Sequence, residues 1–144
     1  MTPLPAAPTA TPASRCGAGT LTLTAAGASV GGTYNWYTQA TGGTSVNTPG
    51  TYTTPSLAAT TTYYVSAVTS GGCESPRTAV VATVNTVPTV TITAGGPVDF
   101  CQGGSVTLTA SGASTYLWST GATTASITVS TSGNYSVTGT SAAG

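Results

Sequence analysis

Charge is nearly missing from this 144-residue chain: Arg15, Arg77, Glu74 and Asp99 are its only charged side chains, and the net charge is zero. No basic or acidic field exists to attract nucleic acid, anionic lipid or a charged ligand, so nucleic-acid binding is excluded. Histidine is absent. Ser-His-Asp and Cys-His catalysis and imidazole metal sites are therefore ruled out. The two acids lie in different parts of the chain, whereas a glycosidase needs two carboxyls facing one bond and a tight calcium site needs several oxygen ligands. The chain is expected to be no enzyme and to carry no cofactor or metal. Long apolar runs are also missing, so no segment reads as a membrane insertion. The first residues, with Pro3, Pro5, Pro8 and Pro12 among Ala and Thr, lack the basic start and apolar stretch of a signal peptide. Met1 to Ser14 reads as a Pro-rich linker, with residues 1–6 outside any domain.

What is present is a repeat. Cys16 is followed by Thr20-Leu21-Thr22-Leu23-Thr24-Ala25-Ala26-Gly27, and Cys101 by Ser105-Val106-Thr107-Leu108-Thr109-Ala110-Ser111-Gly112, in the same register. Tyr34-Asn35-Trp36 matches Tyr116-Leu117-Trp118, and Tyr63-Tyr64-Val65-Ser66-Ala67 matches Tyr135-Ser136-Val137-Thr138-Gly139. The first copy continues to Cys73 and a further strand. The equivalent of Cys73 would fall at position 145, so the second copy is expected to lack its last strand.

Period-2 alternation governs nearly every segment and no window has helical spacing. Strands are expected at 21–25, 33–39, 51–54, 61–68 and 78–84, then at 89–94, 105–110, 115–119, 125–130 and 134–138, with Gly-Gly pairs at the turns. Short strands at this spacing predict an all-β chain of two tandem immunoglobulin-like antiparallel sandwiches, at 7–86 and 87–144. The junction Asn85-Thr86-Val87-Pro88 is short and carries a proline, which predicts a semi-rigid array. Alternation turns Leu21, Leu23 and Ala25 inward, with Val106, Leu108 and Ala110 as their counterparts, and places Trp36 and Trp118 across the two cores. The Thr-x-Thr faces read as ordinary exposed strand surface, and Asn134-Tyr135-Ser136 as a chance glycosylation sequon.

Three cysteines is an odd count. The repeat suggests a Cys16 to Cys73 disulfide in an oxidising compartment, stabilising by about 4 kcal/mol through loop closure, with Cys101 left unpaired. The alternative is three reduced cysteines packed as small hydrophobes.

The succession Cys101-Gln102-Gly103-Gly104-Ser105-Val106-Thr107-Leu108-Thr109, Tyr116-Leu117-Trp118-Ser119-Thr120-Gly121, Ile127-Thr128-Val129 and Gly133-Asn134-Tyr135-Ser136-Val137 resembles the immunoglobulin-like, PKD-like repeats of large secreted surface proteins of Bacteroidota-type gliding bacteria. Such repeats occur in adhesins and carbohydrate-active enzymes exported by the type IX secretion system. The resemblance implies a non-catalytic extracellular module at the cell surface, spacing other domains or contributing to adhesion. Its partners would be other repeats of the same protein, neighbouring subunits or surface glycans.

Two further readings come from the residues. Tyr37 and Tyr64 follow core-facing aromatics, so both are expected to face outward on neighbouring strands, as a sugar-stacking platform or as a cross-strand pair that only stabilises the sheet. The bare edge of the second sandwich is expected to take either a continuation of the chain, beginning with a cysteine, or a strand from another subunit. The segment Met1 to Ser14 of a neighbour is one donor, and repeated donation would build a head-to-tail filament.

Overall fold

A computed structural model describes residues 3–144. The chain divides into two compact units, one ending at Asn85 and one running from Thr86 to Gly144. All regular structure among the described residues is β.

The first unit has two sheets. One contains β1 (Thr9–Thr11), β3 (Thr22–Ala26) and β5 (Thr51–Thr53), antiparallel in the order β1-β3-β5. The other has the order β2-β7-β6-β4, from β2 (Ala13–Cys16), β4 (Thr33–Tyr37), β6 (Thr61–Val68) and β7 (Thr78–Asn85). Between them Leu21, Leu23, Ala25, Trp36, Tyr52, Tyr63, Val65, Val80 and Ala82 form one buried cluster. The inward alternation expected for Leu21, Leu23 and Ala25 is observed. Threonine takes the opposite face because its branched side chain suits an extended backbone and its hydroxyl can meet water.

In the second unit β8 (Thr91–Ala94), β9 (Val106–Ser111) and β11 (Ser126–Val129) form the sheet β11-β9-β8, and β10 (Thr115–Trp118) pairs with β12 (Val137–Thr140). The registers repeat those of the first unit. Thr22 faces Thr53 as Thr107 faces Thr128, and Trp36 faces Val65 as Trp118 faces Val137. Both indoles donate to a loop carbonyl at 2.8 Å, Trp36 Nε1 to Pro49 and Trp118 Nε1 to Thr124. Both first tyrosines secure the turn after the Leu-rich strand, with Tyr34 Oη accepting from Ala28 N and Tyr116 Oη from Ala113 N. The repeat in sequence is thus a repeat of strand pairing and of polar anchoring.

The structure changes four expectations. From residue 9 onward the segment expected as linker up to Ser14 is strand: β1 pairs antiparallel with β3, β2 pairs parallel with β7, and Pro12 stands at the crossing from one sheet to the other. A residue without a backbone N–H fits such a crossing, where the ladder is interrupted anyway. This cis pairing also engages the segment expected to act as a donor to neighbouring subunits.

The disulfide is the second correction. The parallel register sets Cys16 beside Asn85, at the far end of β7, while Cys73 lies in the turn that precedes β7. An eight-residue strand lies between those two ends, a span of roughly 20 Å, whereas a disulfide needs Cα atoms within about 7 Å. Cys73 and Cys101 are free thiols.

The third concerns the last tyrosine strand of the second unit. β12 begins at Val137, although Tyr63, the counterpart of Tyr135, lies well inside β6. The part of β6 that pairs with β7 spans Thr61 to Val65, and no described strand of the second unit stands where β7 stands in the first. Without a partner those residues form no ladder. The fourth, the outward placement of Tyr37, belongs to the site below.

Candidate functional site

A dense polar cluster of the first unit gathers where β4, the end of β6 and the 69–77 connection meet. The β6 chain turns at Thr69 to Cys73, closed by Gly72 N donating to the Thr69 carbonyl at 2.9 Å, with Gly72 at φ +84° as that turn requires. The turn brings Glu74 back to a bridge with Val68. Ser75 then bonds Ala67 twice through its backbone N and its Oγ, and so holds the connection against the sheet.

Glu74 Oε1 accepts hydrogen bonds from Tyr37 Oη at 2.6 Å and from Ser66 Oγ at 2.5 Å, Ser66 being fully buried. Arg77 lies across Tyr37, its Cζ 3.3 Å from the ring centroid, and donates from Nη1 to the carbonyls of Gln39 at 2.7 Å and Gly42 at 2.9 Å. Partial burial of the Glu74 carboxyl opposes ionisation, but the hydrogen bonds from Ser66 and Tyr37, the nearby Arg77 charge and a bond from Asn35 outweigh it and hold the pKa below the ordinary carboxylate value. The cluster is a clasp. It joins the long 38–50 connection to the 69–77 connection, two segments that no ladder holds together.

Tyr37 is only 5% exposed. Tyr37 and Tyr64 are register partners on β4 and β6, as the sequence implies, and Tyr64 is half-buried. Of the two readings of this pair, an open aromatic platform does not fit, because the Arg77 guanidinium covers the Tyr37 ring and the Tyr37 hydroxyl is engaged by Glu74. Beside them a small hollow of about 180 Å³ is lined by Tyr37, Gln39, Gly43 and Val46, among others. Sequence reasoning placed Glu74 in a loop and gave Arg77 no role. The available signal was that two of four charges in the chain, of opposite sign, stand three residues apart. Their target, Tyr37, is remote in sequence and was not legible.

Among the described residues no three of His, Cys, Asp or Glu gather where they would hold a metal ion, and no helix is long and apolar enough to cross a membrane. Two stacked sheets, antiparallel apart from the β2–β7 pair, around a central tryptophan define an immunoglobulin-like β-sandwich module. Residues 5–85 match the family described as Ig-like domain, CHU_C associated, and the chain belongs to it. A comparison with curated proteins gives no match.

Proposed function

We propose that this chain is a non-catalytic extracellular segment that spaces and presents other parts of a cell-surface protein and contributes to adhesion. The observation that carries the reading is the clasp. Its charged groups and its best-placed aromatic bind one another and two backbone carbonyls, so they stiffen the module and leave little for a ligand. Membership of the Ig-like family supports the extracellular setting. Its natural contacts are then other repeats of the same protein or neighbouring subunits.

A glycan array on the wild-type chain and on Tyr64→Ala and Tyr37→Ala/Tyr64→Ala variants tests the reading. A spacer gives no sugar signal in any of them. A specific signal in the wild type that disappears in the folded Tyr64→Ala variant would replace it with a carbohydrate-binding module.

A further inference from the structure

Antiparallel ladders alternate, so in an edge strand every second residue turns its N–H and C=O to the neighbouring strand and the residues between turn theirs to the outside. For β8 the hydrogen bonds fix which residues do which. Gly95 N donates to the Thr107 carbonyl at 2.8 Å, and the register of Thr91 with Ser111 and Thr93 with Thr109 puts both threonines in the same phase as Gly95. Val90, Ile92 and Ala94 therefore direct their N–H and C=O groups away from β9, along the outer edge of the sheet β11-β9-β8.

The first unit treats the same edge differently. Ala25 N donates to the Gly50 carbonyl at 2.7 Å and so faces β5, which leaves Thr9 and Thr11 bonded to β3 and turns Pro8, Ala10 and Pro12 to the outside. Thr9 stands opposite Ala26 as Thr91 stands opposite Ser111, so Pro8, Ala10 and Pro12 are the counterparts of Val90, Ile92 and Ala94. Proline leaves β1 with one outward donor, at Ala10, whereas β8 keeps all of its own. Proline and charge at the outward positions of an edge strand block its pairing with another chain. β8 has neither between Pro88 and Pro97. The opposite edge of its sheet, β11, is partly closed, because the outward Ser126 carbonyl accepts from Thr124 Oγ1 at 2.6 Å. Nor does the open edge of β8 wait for a strand of its own sandwich: in the first unit, with β7 in place, no described strand lies beyond β1.

We propose that β8 pairs with β8 of a second copy of this chain, antiparallel about a two-fold axis at Ile92, so that the two three-stranded sheets become one continuous sheet. The outward groups are self-complementary in that arrangement. Val90 meets Ala94 of the second copy and Ile92 meets Ile92, each pair exchanging both of its N–H···O=C bonds. Thr91 then faces Thr93 of the second copy on the outer surface, and extends the hydroxyl pairing that already links Thr91 Oγ1 to Ser111 Oγ at 2.8 Å. On the inner side the two Ile92 side chains come together. Ile92 is 43% exposed in the single chain and stands where the first unit has the small Ala10, so pairing removes apolar surface from water. A net charge of zero leaves no repulsion between copies to oppose the contact. The inference is separate from the spacer reading, because pairing through β8 needs only the folded second unit.

Sedimentation of the full 144-residue chain from micromolar to millimolar concentration tests the proposal. The contact is small, so a monomer–dimer equilibrium with a dissociation constant on the order of 100 µM is expected. Ala94→Pro copies the edge of the first unit, removes one outward donor from each copy and leaves the bonds to β9 in place. It is expected to weaken dimerisation by about tenfold or more. Thr91→Lys/Thr93→Lys sets like charges opposite one another across the two-fold axis and is expected to leave a monomer throughout. Trp118 emission reports that each variant is folded. Residue-resolved amide exchange in the wild type needs no variant: a rise in concentration is expected to slow exchange at Val90, Ile92 and Ala94 several-fold and to leave 98–101 and 133–137 unchanged. A wild-type chain that stays monomeric at millimolar concentration overturns the proposal. So does a dimer that Ala94→Pro leaves as tight as before, or one that slows exchange at 98–101 or 133–137 and not at β8, since the copies then meet elsewhere.

Discussion

Tyr37 has the most consequential surroundings of any side chain in the first unit. Its ring lies under Arg77 and its hydroxyl donates to Glu74. Tyr37→Phe keeps the ring and removes the donor, and a hydrogen bond to a carboxylate contributes about 1.5–3 kcal/mol in general. Because Glu74 is exposed and retains its bond from Ser66, the expected loss falls just below that range, about 1 kcal/mol, read as a lower urea midpoint with unchanged slope. Glu74 also sets a pH dependence. Its folded pKa is depressed, so its contribution is fully present above the unfolded value, near pH 4, and is lost as pH falls through the folded value. The urea midpoint of the wild type should therefore fall more between pH 5 and pH 2 than that of Glu74→Gln. Parallel curves for the two proteins would show that the carboxylate is not held in this way.

At the scale of elements, the turns after β3 and β9 offer a controlled comparison. Gly27 and Gly112 occupy equivalent places and have the same φ of +98°. A Cβ at Gly27 would have nothing nearer than 3.9 Å, whereas at Gly112 it would lie 1.9 Å from the Thr89 carbonyl oxygen. Gly27→Ala is expected to cost about 1 kcal/mol through backbone strain alone. Gly112→Ala adds a collision with backbone that cannot easily withdraw, and is expected to cost at least about 2 kcal/mol more by thermal or urea unfolding. The cysteines form a second comparison between elements. With Cys16 and Cys73 at opposite ends of β7, non-reducing peptide mapping should find no link between them, and a reductant should leave the melting temperature unchanged.

For the molecule as a whole, the two units differ in what they bury. The first has a continuous cluster from Leu21 to Ala82, closed by β7, while the buried apolar side chains of the second are Val106, Ala110, Trp118 and Val129. Hydrophobic stabilisation follows buried apolar area. The second unit should therefore unfold first, giving two transitions in urea when Trp36 and Trp118 are followed separately through Trp→Phe variants. A single coincident transition would mean that the units stabilise each other. In native-state exchange, residues 133–136 should exchange far faster than their counterparts 61–64, although the sequences are related.

How much of this was legible in the residues depended on the range of the interaction involved. Alternation of Leu and Val with Thr is a local property, and it located ten strands and placed Leu23 and Trp36 in the core, because a strand shows its faces every second residue whatever it packs against. The repeat carried the same assignment to Val106 and Trp118, and the near absence of charge limited the available chemistry. Tertiary structure decided everything that depended on a remote partner. Residues 9–14 have the composition of a linker and lie in β1 and β2 only because β3 and β7 offer edges to them. The expected Cys16–Cys73 link fails because β2 runs parallel to β7, a direction that spacing does not encode. Tyr37 sits on the face that alternation assigns to solvent and is buried nonetheless, since Glu74 and Arg77 arrive over it from a connection distant in sequence. Local pattern determines which way a side chain points; only the assembled fold determines what lies there to meet it.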